Sequence, residues 1–96
     1  MATLITLVSF TDQGIKNVKD SPSRFEAFRS MAEELGLTVK SVFWTIGSYD
    51  MVVTVEGAEE AAAAVLLKVG SLGNVRSQTL RAFTLDEMKR ILDKMP

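Results

Sequence analysis

Tyr49 and Asp50, adjacent at the end of Gly47-Ser48-Tyr49-Asp50, are the side chains of this sequence whose types and spacing could best do chemistry. A carboxylate there can accept from a ligand's amine or hydroxyl, and the neighbouring phenol can donate or accept. The 96 residues include no histidine and no cysteine. That removes the commonest general base and the commonest transition-metal ligand, along with thiolate nucleophiles, disulfides and zinc–thiolate sites. Proton transfer would fall to Asp, Glu, Tyr, Arg or Lys, or to a borrowed cofactor. The competing role of the pair is local and is favoured: Tyr49 packs at a strand start while Asp50 accepts backbone N–H groups in its turn.

Other candidates are weaker. Asp50 and Glu56 lie six residues apart in one extended run, so roughly 20 Å separates them, too far for shared proton work within one subunit. Arg76 and Arg81 have the planar forks that bind carboxylate or phosphate. Their odd spacing puts them on opposite faces of a strand, and edge-strand solubility is the favoured role for both. Trp44 belongs to an apolar face and reads as core. Gly70 and Gly73 lack the Lys-Ser/Thr of a phosphate loop. No carboxylate cluster suggests a metal, and no cofactor is indicated.

Eleven basic and twelve acidic residues leave a formal charge of −1, which offers no footprint for nucleic acid or an anionic membrane surface. The apolar content of 47% is ample for a globular core, and the length indicates a single domain over residues 1–96. Residues 1–10 are apolar but short, without a basic start, and interrupted by Thr3, Thr6 and Ser9, so they read as a strand and not as a leader. With no run approaching the roughly 18 apolar residues that span a bilayer, the expected location is the cytoplasm.

The positioning elements follow from periodicity. Residues 3–10, TLITLVSF, are apolar on both faces, the mark of a central strand. Ile15 and Val18 suit a short helical turn. A full helix opens near Asp20-Ser21-Pro22-Ser23, capped by Ser21 or by Ser23 with Glu26. Its apolar stripe is Phe25, Phe28, Met31, Ala32 and Leu35, and Gly36 ends it in a left-handed conformation.

Residues 39–56 then form a hairpin, one strand central and one at an edge. A two- or four-residue loop puts Trp44 opposite Met51. Lys40, Val42, Trp44, Ile46, Tyr49, Met51, Val53 and Val55 then share the core face, while Ser41, Phe43, Thr45, Asp50, Val52, Thr54 and Glu56 share the other. Residues 58–72 form a second helix with Ala61, Ala62, Val65, Leu66, Val69 and Leu72 inward. Residues 75–83 make a polar edge strand. Thr84 and Glu87 form a capping box for a last helix bearing Met88, Ile91, Leu92 and Met95.

The order is β-α-β-β-α-β plus a C-terminal helix: an α+β, ferredoxin-like fold with a four-stranded antiparallel sheet. Two helices cover one face and leave the other, with Phe43 and Val52, unpaired. A second copy placed face to face would close a dimeric α/β barrel. Burying several hundred Å² gains on the order of 10 kcal/mol, against association costs of about 4–15 kcal/mol.

Gly47-Ser48-Tyr49-Asp50 fits a G-x-Y-D hairpin, and with Gly73-Asn74-Val75-Arg76 and Thr79-Leu80-Arg81-Ala82-Phe83 it resembles the GYD-domain family. Thr11-Asp12-Gln13-Gly14-Ile15 and Asp20-Ser21-Pro22 are similar to that family's N-terminal segments. The resemblance spans nearly the whole chain. It implies the fold and homo-oligomerisation, as a homodimer or higher, and no reaction.

The function expected is a homo-oligomeric domain that binds a small molecule in a cleft at the sheet or subunit interface, with Phe43, Thr45, Tyr49, Asp50 and Arg76 as candidate ligand contacts. Two alternatives stand beside it. A cofactor-free enzyme of the α/β-barrel monooxygenase or isomerase type would use Tyr49 or Asp50 to move a proton, and a structural or protein-binding module would need neither.

Overall fold

A computed structural model describes residues 2–96. The elements are β1 (Ala2–Phe10), α1 (Asp12–Lys16), a 3-10 turn (Val18–Asp20), α2 (Ser21–Glu34), β2 (Thr38–Trp44), β3 (Met51–Gly57), α3 (Glu59–Ser71), β4 (Val75–Ala82) and α4 (Leu85–Asp93). The strands form one open antiparallel sheet in the order β2-β3-β1-β4, the ferredoxin-like arrangement expected. The twofold-greasy β1 is central, and the polar β4 is an edge.

Side-chain alternation divides the strands between two faces. Leu4, Thr6 and Val8 of β1 and Met51, Val53 and Val55 of β3 are buried under the helices. Phe25 and Ala32 of α2, Ala62 and Val65 of α3, and Leu37 complete this core, with Val65 only 1% exposed. Ala61 and Ala62 of α3 pack against this core.

Several local expectations are corrected. A β-bulge interrupts the β2–β3 register between Val39 and Ser41. The extra residue rotates Lys40 off the core face, puts Val39 opposite Val55, and lets Lys40 meet Glu56 at 3.5 Å. Neither serine caps α2 in the expected way. The helix begins at Ser21 with no side-chain cap bond from Asp20, and the Ser21 hydroxyl accepts from Trp44 Nε1 at 2.9 Å. Trp44 is 44% exposed, because β2 is an edge strand and only one side of the indole meets Phe25, edge-on, with ring centroids 5.9 Å apart. Leu35 caps the C-terminus of α2 and stays wet, and Leu37 takes the buried place. Gly36 ends the helix at φ +83°, as expected.

The last helix has the predicted capping box. Glu87 N–H donates to Thr84 Oγ1 at 3.2 Å, and Thr84 N–H donates to Glu87 Oε1 at 2.9 Å. That backbone bond from Thr84, aided by the Thr84 hydroxyl and by Arg81 and Arg90, holds the Glu87 carboxyl below the ordinary carboxylate range, against a smaller opposing effect of desolvation. The apolar stripe of α4 stays uncovered among the described residues: Leu85, Met88, Ile91, Leu92 and Met95 are all exposed.

Candidate functional site

The hairpin end of the open sheet face gathers the five sequence candidates. The Tyr49–Asp50 segment is tied to β1. Asp50 N–H donates to Val8 O at 2.8 Å, and Asp50 Oδ2 accepts from Phe10 N–H at 2.8 Å. Its carboxylate therefore serves backbone N–H, as the local role requires, but that of a strand forty residues away instead of its own turn. Thr45 closes the hairpin from the other side: its N–H donates to Asp50 O at 2.8 Å and its hydroxyl to Tyr49 O at 2.6 Å.

Continuing the register one step beyond Val8↔Met51 places Thr45, Asp50, Ser9 and Arg76 in one row across the open face, since Ser9 pairs with Arg76. Phe43, Val52, Leu7 and Gln78 make the next row. Tyr49 leaves the core face that strict alternation assigned it and reaches over the sheet, its hydroxyl 3.1 Å from Gln78 Oε1. The bends at residues 46–48 free it from the period-two rule. The five residues share one end of one face, yet Phe43 and Arg76 stand on opposite edge strands, roughly 14 Å apart at the usual strand spacing. They form a surface, with no enclosed pocket.

The arginines separate as expected. Arg76 faces the open side, and no ion-pair partner lies beside it among the described residues. Arg81 pairs with Leu4 on the other side. It bonds Glu59 at 3.0 Å and stacks over Phe83 at 4.5 Å, occupied with structure.

The opposite face holds a cavity of about 160 Å³ between the sheet and helices α2 and α3. Val8, Met51 and Val53 floor it; Phe25, Phe28 and Met31 of α2 and Leu66 and Val69 of α3 roof it; Thr6, Ser21, Asn74 and Ser77 contribute the uncharged polar groups. Sequence reasoning missed it. A signal existed: the helix-side positions of β4 include Ser77, a small side chain facing an aromatic helix stripe, where volume is lacking. Thr6 Oγ1 and Thr79 Oγ1 satisfy each other at 3.1 Å.

Leu72 and Asn74 of the α3–β4 turn line one side of the cavity, and the segment after β1 is locked to that turn. Thr11 N–H donates to Asn74 O at 3.1 Å, the Thr11 hydroxyl to Gly73 O at 2.6 Å, and Gln13 Nε2 to Asn74 Oδ1 at 2.9 Å. Gly14 lies so close that a β-carbon there would sit 1.9 Å from Asn74 O. Any side chain would force the turn away, whereas Gly73 in the turn itself is called for by its φ of +86°. Arg24 reaches back to the same place and donates to Asn17 O at 2.8 Å and Gly14 O at 3.3 Å.

Among the described residues no three Asp or Glu side chains converge on a common point that could hold a metal, and no helix is long and apolar enough to cross a membrane.

Comparison with known proteins adds family and fold. The model of the GYD domain matches residues 4–92. A Thermus thermophilus protein named glutamine synthetase and cystathionine beta-lyase binding protein is 33% identical over 91 residues, covering 92% of this chain and 95% of that one. A Thermus thermophilus protein of solved structure is 28% identical, with a TM-score of 0.54 over 88% of this chain and 95% of that one. A feast or famine regulatory protein of M. tuberculosis complexed with L-methionine superposes with a TM-score of 0.64 at 16% identity, over 88% of this chain and 51% of its own. That likeness is one of fold.

Proposed function

This chain belongs to the GYD-domain family, and on that premise we propose that it is a homo-oligomeric binding module whose ligand is a small apolar molecule held in the cavity between helices and sheet. The observation that carries the reading is that cavity, about 160 Å³ and walled mainly by apolar side chains. Its size is that of engineered apolar cavities that stay dry and bind benzene, and an apolar hollow with a few polar groups is the usual make-up of a ligand site. The methionine bound by the mycobacterial regulator lends the fold a precedent for small ligands.

In this reading the open sheet face is the contact between copies. Phe43 is 64% exposed and Leu80 42%, and wet patches of this kind mark interaction surfaces. Four strands of about seven residues project roughly 450 Å² of sheet per copy. Two such faces, about 900 Å² together, fall short of the roughly 1,200–2,000 Å² buried in stable complexes, and the bare stripe of α4 supplies further apolar area. Phe43, Thr45, Tyr49, Asp50 and Arg76 then lie at the rim of the boundary.

The decisive test is a thermal-shift screen of benzene-sized compounds together with light scattering. Small apolar compounds raise the midpoint of the native chain and not of Ser77→Leu, whose longer side chain fills the cavity. The pair Phe43→Glu and Leu80→Glu weakens self-association by about a hundredfold or more, through unpaired buried charge. A flat screen would remove the ligand reading. A native chain that stays monomeric at micromolar concentration would remove the oligomer.

A second reading, a protein-binding module, is favoured by the exposed stripe of α4 and by the name of the Thermus thermophilus relative, which describes a partner of two enzymes. It predicts that deleting residues 85–96 abolishes capture of a partner enzyme and leaves the fold intact.

A further inference from the structure

We infer that the cavity takes an apolar carboxylate, with the acid group on Arg24 and a phenyl- or branched-alkyl-sized tail inside. The inference rests on the proposal that this cavity is a binding site and specifies the chemistry of what enters. Among the residues lining the cavity, Arg24 alone carries a charge. Its guanidinium is half-buried and fixed by two neutral acceptors, the carbonyls of Asn17 and Gly14. No carboxylate lies within ion-pair distance of it among the described residues.

Those two bonds orient the fork while leaving its full charge and three of its five N–H donors unspent. A guanidinium held this way is organised in advance for a carboxylate, which it can grip with two parallel bonds. The start of α2, three residues away at Ser21, adds the positive end of a helix dipole to the same rim. The tail is limited by volume: about 160 Å³ accommodates one ring or a short branched chain.

The lining also says what is refused. It contains no Asp or Glu, so an α-ammonium group entering with the carboxylate would lose water without gaining a counter-charge. Simple monoanions are therefore preferred over zwitterionic amino acids.

Calorimetric or NMR titration of the full chain with phenylacetate, phenylacetamide and L-phenylalanine tests this. Phenylacetate is expected to bind roughly tenfold to a hundredfold more tightly than the amide, the range for a hydrogen bond to a charged group, and more tightly than phenylalanine. In Arg24→Gln the acid-over-amide ratio falls to near one while amide binding persists. Should that variant unfold, Arg24→Lys keeps a charge without the fork and is expected to narrow the ratio. Equal binding of acid and amide by the native chain, an unchanged ratio in either variant, or tighter binding of phenylalanine would overturn the assignment and leave the cavity as a site for neutral molecules. Binding of none of the three would overturn the cavity reading as well.

Discussion

The two faces of this sheet are made by the same four strands, and they differ in almost every physical respect. The covered face carries Leu4, Val8, Met51, Val53 and Val55 beneath two helices, with a hollow where β4 supplies small side chains. The open face carries Ile5, Leu7, Phe43, Val52 and Leu80, over which no helix packs among the described residues. Both are apolar enough to want cover. One obtains it within the chain, because α2 and α3 are crossovers between parallel strands, β1 to β2 and β3 to β4, and the right-handed sense of both puts them on one side. The other can obtain it only from outside. Hydrophobicity alone therefore does not say which side is core; connectivity does.

The comparison breaks most sharply at its aromatic residues. Phe25→Ala on the covered side is expected to cost about 3–5 kcal/mol in denaturant unfolding, a large share of the stability of a small domain. Phe43→Ala on the open side should cost the folded monomer less than about 0.5 kcal/mol, with its effect confined to association. Equal losses at both would mean that the open face is covered within the chain after all.

Asp50 sharpens the comparison at the seam, since it stitches the hairpin to β1. Asp50→Ala leaves Phe10 N–H without its charged acceptor and should cost about 1.5–3 kcal/mol, while Asp50→Asn, which can still accept, should cost less. Turnover lost in Asp50→Asn or Tyr49→Phe with the fold intact would point instead to catalysis.

The smallest effect concerns α4, the element that neither face claims. Thr84→Ala is expected to cost that helix about 1 kcal/mol, read as faster amide exchange in residues 85–93. The Glu87 carboxyl is held down in the folded state, so its contribution is complete above its unfolded titration range and is lost as pH falls through the folded one. Exchange in α4 should therefore quicken in acid, below the ordinary carboxylate range, and Glu87→Gln should flatten that dependence.

The elements were legible because their signals are local. The capping box at Thr84 and Glu87, the left-handed Gly36 and the alternation through Met51, Val53 and Val55 each need only a few neighbouring residues to read. The opposition of Trp44 and Met51 followed from loop parity. Failures came where a distant group intervened: the bulge beside Lys40, Tyr49 drawn to Gln78, and Ser21 turned from capping to hold Trp44. The candidate site was legible only as a neighbourhood. Phe43, Thr45, Tyr49, Asp50 and Arg76 do share an end of the sheet, but the hollow lies on its other side.

What this chain's order of residues determined by itself was the list of elements, their faces and the absence of histidine and cysteine chemistry, since propensity, periodicity and composition act over one or two turns. What only the tertiary structure decided was the void above Thr6 and Ser77 and the posture of Arg24 at its rim. A cavity is a shortfall of volume summed over five separate elements, and no single stretch of sequence carries that sum.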